Sequence, residues 1–197
     1  MPTQPDDGRI PYHHGRLRRA LIDATVTEVA RAGTDRLSLR KLARQAGVSH
    51  AAPQHHFGDR TGLLTAVAAE GFRTLTEQYL RPPDGADDSF LTMGTRYVEF
   101  AVTHPGYFHV MYRPDLCDGE DPELAEARAS AAAVLQEAAQ RQVPGRGGED
   151  AAVAAWALMH GLATLWLGGN LERYSQRDPA ELARAAGSFL FSAPPAP

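Results

Sequence analysis

From Leu17 onward the chain is cut by Gly, Pro, Asp and Ser into stretches of helical period, and nowhere do Val and Ile alternate over a strand's length. That pattern predicts an all-α fold. In the first stretch Ile22, Val26 and Val29 stand at i, i+4, i+7, so Leu17–Ala32 reads as an amphipathic helix ended by Gly33. Leu39–Ala46 follows, with Ser38 placed to cap its free N–H groups and Gly47 to stop it. Ser49 is placed to cap a third short helix reaching Phe57, where Pro53 falls in the first turn and its missing donor costs little. Asp59 opens a longer helix through Leu80, closed by Pro82-Pro83. Further helices are expected over Asp88–Thr103, Pro105–Tyr112, Pro122–Gln142, Glu149–Gly168 and Pro179–Phe191. Residues 1–14 read as a flexible basic arm and 193–197 as a tail.

With 197 residues, 43% of them hydrophobic and 22% charged, the chain can bury a core, which excludes a disordered polymer. Its formal charge of −4 is unevenly spread. Residues 1–60 carry ten basic and six acidic side chains, whereas the rest carries ten basic and eighteen acidic. A basic head on an acidic body points to a polyanion met by the head alone, ordinary scatter of surface charge being the plain alternative. The single Cys117 excludes an internal disulfide framework and a Cys-rich zinc site. Residues 1–10 hold no apolar run for a signal peptide, and Ala151–Leu167, mostly alanine and containing His160, falls short of a membrane span. The expectation is a soluble, cytoplasmic protein with no membrane partner.

Enzyme signatures are missing: no Gly-rich phosphate loop, no G-x-S-x-G elbow and no H-E-x-x-H. No catalytic residue, cofactor or metal site is expected. His13, His14, His50, His55 and His56 are numerous, but His55 and His56 are adjacent on a helix and point different ways. Phosphate or base contact is the preferred reading for them.

The strongest motif lies in the head. Leu39–Ala46, the turn Gly47-Val48 and Ser49–Phe57 have the proportions of a helix-turn-helix. Ala43 is small where the second helix must cross, and Leu39, Leu42 and Val48 can pack inward. Arg44, Ser49, His50, Gln54 and His55 stay polar on the outer side. In such a motif the first residues of the second helix enter the major groove while basic side chains hold phosphates.

The runs PYHHGRLRRAL (Pro11–Leu21) and SLRKLARQAGVSHAAPQHHFGDRTGLL (Ser38–Leu64) closely resemble the DNA-binding domain of TetR-type transcriptional regulators. The later AWALMHGLATLWLGG (Ala155–Gly169), with Trp156-x-x-x-His160-Gly161, resembles the branch with a WHG-type C-terminal domain. The resemblance implies an N-terminal three-helix DNA-binding domain over residues 15–60, with its helix-turn-helix at about 38–57. A connecting helix over 61–80 and a helical-bundle ligand-binding and dimerisation domain over 81–192 would follow. It implies a homodimer on a pseudo-palindromic double-stranded DNA operator, repressor action, and release by a small-molecule effector. Ser49, His50 and Ala51 would open the recognition helix, with Gln54, His55 and His56 further along it. Ser38, Arg40, Arg44 and Arg60 would meet phosphates. Gln54 stands where the family usually has a tyrosine, Arg16 where it has Asp or Asn, and Thr61 where an acidic residue is common, so the operator sequence is where this chain departs. A helical ligand- or partner-binding module whose head no longer reads DNA is the alternative.

For the body, Tyr97, Phe100, Phe108, Met111, Tyr112, Trp156 and His160 are candidate pocket residues, since pockets in helical bundles are apolar with a few polar tips. Trp156 and His160 share a helix face at i, i+4. For that pair a core tryptophan beside a satisfied histidine is preferred to a ligand-facing couple, Gly161 pointing to close helix packing. The Ala-rich last two helices are expected to bury apolar faces against a second copy, placing two recognition helices about 34 Å apart or somewhat more.

Overall fold

The structure, a computed structural model, describes residues 12–81, 89–143 and 147–191. Among the described residues every regular element is helical: α1 (Tyr12–Ala32), α2 (Leu39–Gln45), α3 (Ala52–Phe57), α4 (Arg60–Thr74), α5 (Phe90–Thr103), α6 (Pro105–Met111), α7 (Pro122–Gln142), α8 (Gly148–Leu167) and α9 (Pro179–Phe191). The all-α expectation holds. Bounds expected for α7 and α9 match those observed, each helix opening on a proline whose missing N–H is harmless there.

Three local departures have physical causes. α1 starts at Tyr12, so the last residues of the expected arm are helical; the remainder of the arm and the 193–197 tail lie outside the described residues. The third helix is not capped by Ser49, whose carbonyl instead accepts from the Ala52 N–H at 3.0 Å within the turn. Ala51 takes the N-cap position with no side-chain bond, and α3 is six residues long. Beyond Thr74 the connecting helix widens into a π-helical segment, Leu75–Leu80. The hydroxyls of Thr74 and Thr76 both donate to carbonyls four residues back at 2.9 Å, the kind of competition that loosens an α-helical ladder.

α1 to α3 pack around Leu21, Ile22, Val29, Leu42 and Ala43, with Leu63 of α4 equally buried. Gly47 makes the sharp turn after α2 at φ 68°, a conformation side chains rarely adopt. A buried carboxylate ties the first two helices: Glu28 accepts from Lys41 Nζ at 2.6 Å and Arg31 Nη2 at 2.7 Å. Those two donors hold its acid down at about 2.

α4 leaves this head and packs against α6 and α7, while α5, α8 and α9 complete the body. α6 sits between head and body. Gly106 lies so close to α1 that a Cβ there would run into the Val26 carbonyl oxygen and sit 2.9 Å from its carbon. On α4, a Cβ at Gly71 would come within 2.7 Å of Met111 Sδ. Salt bridges fasten the same junction: Glu123 at the start of α7 accepts from Arg73 of α4 at 2.8 Å and faces Arg18 of α1 at 3.7 Å.

α8 corrects the expectation that its apolar run falls short of a span. It is long and apolar enough to cross a membrane by length and composition, yet only 22% of its apolar window is buried. Its inner face carries Ala152, Ala155, Met159 and Ala163. The opposite face shows Ala154, Ala157, Thr164 and Leu165 to solvent, and a Cβ at Gly161 would meet nothing within 4 Å. Gly161 therefore takes part in no close packing inside this chain.

Candidate functional site

The outer face of the head gathers most of the expected polar set. Ser38, Arg40, Arg44, Ser49, His50, Ala51, Gln54 and His55 are all exposed, while Ala52 and Pro53 turn inward. Ser38 caps α2, accepting from the Lys41 N–H at a long 3.5 Å. Asp59 caps α4, accepting from the Gly62 N–H at 2.9 Å, which fixes the end of α3 against the start of the connecting helix. His56 is half-buried, its ring 5.5 Å from that of His55 and 6.2 Å from Phe57. Arg60 turns inward, donating from Nη2 to the Thr34 carbonyl at 2.8 Å, with its Nε buried and unpartnered.

Ion pairing sorts the head's cations. Lys41 and Arg31 are held by Glu28, and Arg19 by Asp23 and Glu70 at 2.9 and 2.6 Å. Arg18 faces Glu123, its guanidinium lying 5.6 Å from the Phe57 ring centroid. Among the described residues Arg36, Arg40 and Arg44 are exposed and make no ion pair, so they are the cations this face offers to a polyanion. Arg36 was not singled out from sequence; its signal is a position just before the α2 cap, beside Ser38.

The body holds a cavity of about 520 Å³, within the range of small-molecule sites. Of the expected pocket residues Tyr97, Met111, Tyr112 and Trp156 line it. Trp156 is 43% exposed in the single chain, which corrects its reading as a core tryptophan. Phe108 and His160 stand one layer behind, with rings 5.1 Å apart, and His160 lies 4.6 Å from Tyr112. Phe100 is fully buried elsewhere, edge-on to Tyr79 at 5.4 Å.

The histidine is satisfied, as the sequence reading had it. Tyr97 Oη lies 2.9 Å from His160 Nδ1. Burial pushes the Tyr97 phenol up and His160 down, so a neutral phenol meets a neutral ring. Burial likewise pushes Tyr112 up to about 12, against hydrogen bonding from Tyr97 and Trp156.

Sequence reasoning missed the far wall. Phe72, Leu75 and Leu80 come from the connecting helix and its π segment, and Ala131, Ala132 and Leu135 from α7. The alanines of α7 look like ordinary helix packing in a sequence, and only the third dimension turns them to a void. Arg128, one turn earlier on α7, also lines the cavity, its guanidinium 5.8 Å from the centroid of the Phe72 ring.

Comparison with known proteins bears on both parts. Residues 21–67 match the model described as bacterial regulatory proteins, tetR family. Residues 90–189, half of the chain and including Trp156, His160 and Gly161, match the model for a tetracyclin repressor-like C-terminal domain. A curated relative, the uncharacterized HTH-type transcriptional regulator Rv0681 of Mycobacterium tuberculosis, is 28% identical over 79% of this chain and 72% of its own length. A solved structure of a protein of unknown function from Rhodococcus sp. RHA1 is 37% identical, covers 92% of this chain and 96% of its own, and superposes with a TM-score of 0.71. The transcriptional regulator FadR from Bacillus subtilis, solved in complex with stearoyl-CoA, shares the fold at 14% identity, with a TM-score of 0.69 over 88% of this chain and 97% of its own. Two family matches, one over the helix-turn-helix and one over the cavity-bearing body, make this chain a member of the TetR family of transcriptional regulators, DNA-binding and not enzymes.

Proposed function

We propose that the protein is a cytoplasmic repressor that binds a pseudo-palindromic operator as a homodimer and leaves it when a small molecule fills the body cavity. The reading divides the chain into a DNA-binding head over 15–60, a connecting helix over 61–80 and a WHG-type effector and dimerisation domain over 81–192. Ser38, Arg40 and Arg44 serve phosphates, which Arg60 joins only by leaving the Thr34 carbonyl; Ser49, His50, Ala51, Gln54, His55 and His56 serve the groove. The carrying observation is continuity. The helix that Asp59 caps at the edge of the reading head runs on to supply Phe72, Leu75 and Leu80 to the cavity wall. A ligand that favours one packing of that wall sets the head's position, by no more than its differential affinity for the two shapes.

The outward apolar face of α8 supports pairing of two copies, since a stripe that long and that little buried gains most from a self-complementary partner. That FadR, of the same fold, is seen with stearoyl-CoA supports a small molecule as the occupant of the body. The test is selection of fragments from sheared genomic DNA with the purified chain, run beside sizing at micromolar concentration. An enriched inverted repeat bound by a dimer is expected. A monomer, or no enriched sequence, overturns the reading and favours the module with a non-reading head.

A further inference from the structure

We infer that the cavity takes an amphipathic ligand with one anionic oxyacid group, held by Arg128, and an apolar body lying along α7. This deepens the effector reading above but concerns ligand chemistry alone. Arg128 carries the single full charge among the cavity's lining residues, and no Asp or Glu lines it. Its neighbours differ: Arg18, Arg19 and Arg73 each face a carboxylate. Among the described residues Arg128 has no ion pair and no hydrogen bond; its guanidinium lies over Phe72. A half-buried cation set in an apolar wall costs desolvation that an anion, brought in by a ligand, offsets.

Geometry supplies the rest of the ligand's outline. Phe72 meets Tyr112 edge-on at 5.5 Å, and both rings line the cavity with Arg128. A planar guanidinium resting on an aromatic ring is oriented for two-pronged recognition of a carboxylate, sulfonate or phosphate. From Arg128 to Gln136 the lining follows α7 for about two turns, roughly 12 Å. Ala131, Ala132 and Leu135 on that side, and Phe90, Met93 and Met159 among the other lining residues, offer only apolar surface. A cationic ligand would be repelled, and a neutral one would leave Arg128 uncompensated.

The test uses a matched pair of fluorescent probes, anilinonaphthalene sulfonate and its uncharged parent anilinonaphthalene, titrated into the full chain without DNA. The sulfonate should bind about tenfold more tightly or better. Arg128→Gln should bring the two probes level, and Arg128→Glu should reverse their order, with circular dichroism and melting unchanged. Ala131→Trp, which fills the cavity, should abolish both. Equal binding to the natural chain, a sulfonate preference that survives Arg128→Gln, sulfonate binding that survives Ala131→Trp, or no binding of either probe overturns the inference. Because no operator is involved, failure here leaves the DNA-binding reading standing, and a chain that selects no operator can still show the charge preference.

Discussion

Replacing Gly161 by alanine should change stability in opposite directions for a lone chain and for a paired one. Gly161 lies near the middle of α8 on the side away from Ala152 and Met159, and a Cβ there meets nothing within 4 Å in the single chain. For an unpaired helix the substitution should stabilise by about 0.5–1 kcal/mol, since glycine loses more backbone freedom than alanine on folding. At about 2–4 °C per kcal/mol for a chain of this size, the midpoint would rise by about 1–4 °C. If a second copy packs closely on this face, the added methyl instead overfills an interface, at about 1–3 kcal/mol per site. Two-fold symmetry presents the substitution twice, so even the low end is about 2 kcal/mol per dimer, or about thirty-fold in Kd. Sedimentation across a dilution series, with melts at its two extremes, reads both quantities. We expect a weakened dimer whose melting depends more strongly on concentration, and a still larger loss with Gly161→Gln. An unchanged dimer and a raised midpoint at every concentration would refute the assignment of this face.

Other expectations follow from the head. Gln54→Ala and His55→Ala should each weaken specific binding by about 1–3 kcal/mol in mobility shifts without altering the dimer on sizing; normal operator binding by the double variant would remove both from the groove. Arg40→Ala and Arg44→Ala should each reduce the salt slope of operator binding by about one, and Arg60→Ala, measured beside them, keeps its place as a phosphate contact only if it does the same. The acid of Glu28 sits at about 2 in the fold against an ordinary 4.5. Its contribution is therefore complete above pH 4.5 and is lost as pH falls toward 2, so melts over that interval should decline more steeply for the natural chain than for Glu28→Gln.

Helix order and the head were legible because local chemistry fixes them. Prolines and capping side chains mark the starts of α4, α7 and α9, and glycines mark the end of α1 and the reading turn. Where no such signal exists the reading slipped: nothing in Tyr12-His13-His14 announces that α1 has begun, and no residue pattern announces a π turn. The cavity was half legible. Tyr97, Met111, Tyr112 and Trp156 were found as large side chains at helical spacing, but spacing cannot say which of two apolar faces borders a void. Phe100 and Phe108 were therefore grouped with them although one is locked beside Tyr79 and the other backs His160. For Trp156, though a pocket candidate, a core position was preferred because Gly161 nearby reads as close helix packing. In the single chain Trp156 stands at the border between cavity and solvent.

The approach of Gly106 to Val26 has a mechanical consequence. Two backbones that touch without an intervening side chain have no rotamer to absorb a displacement, and close-packed atoms repel steeply when pushed together. α6 thus works as a shim: at one end it bears on the main chain of the first helix, and five residues later Met111 abuts both α4 and the void. A molecule that wedged Met111 outward would press α6 against the main chain of the first helix at Val26.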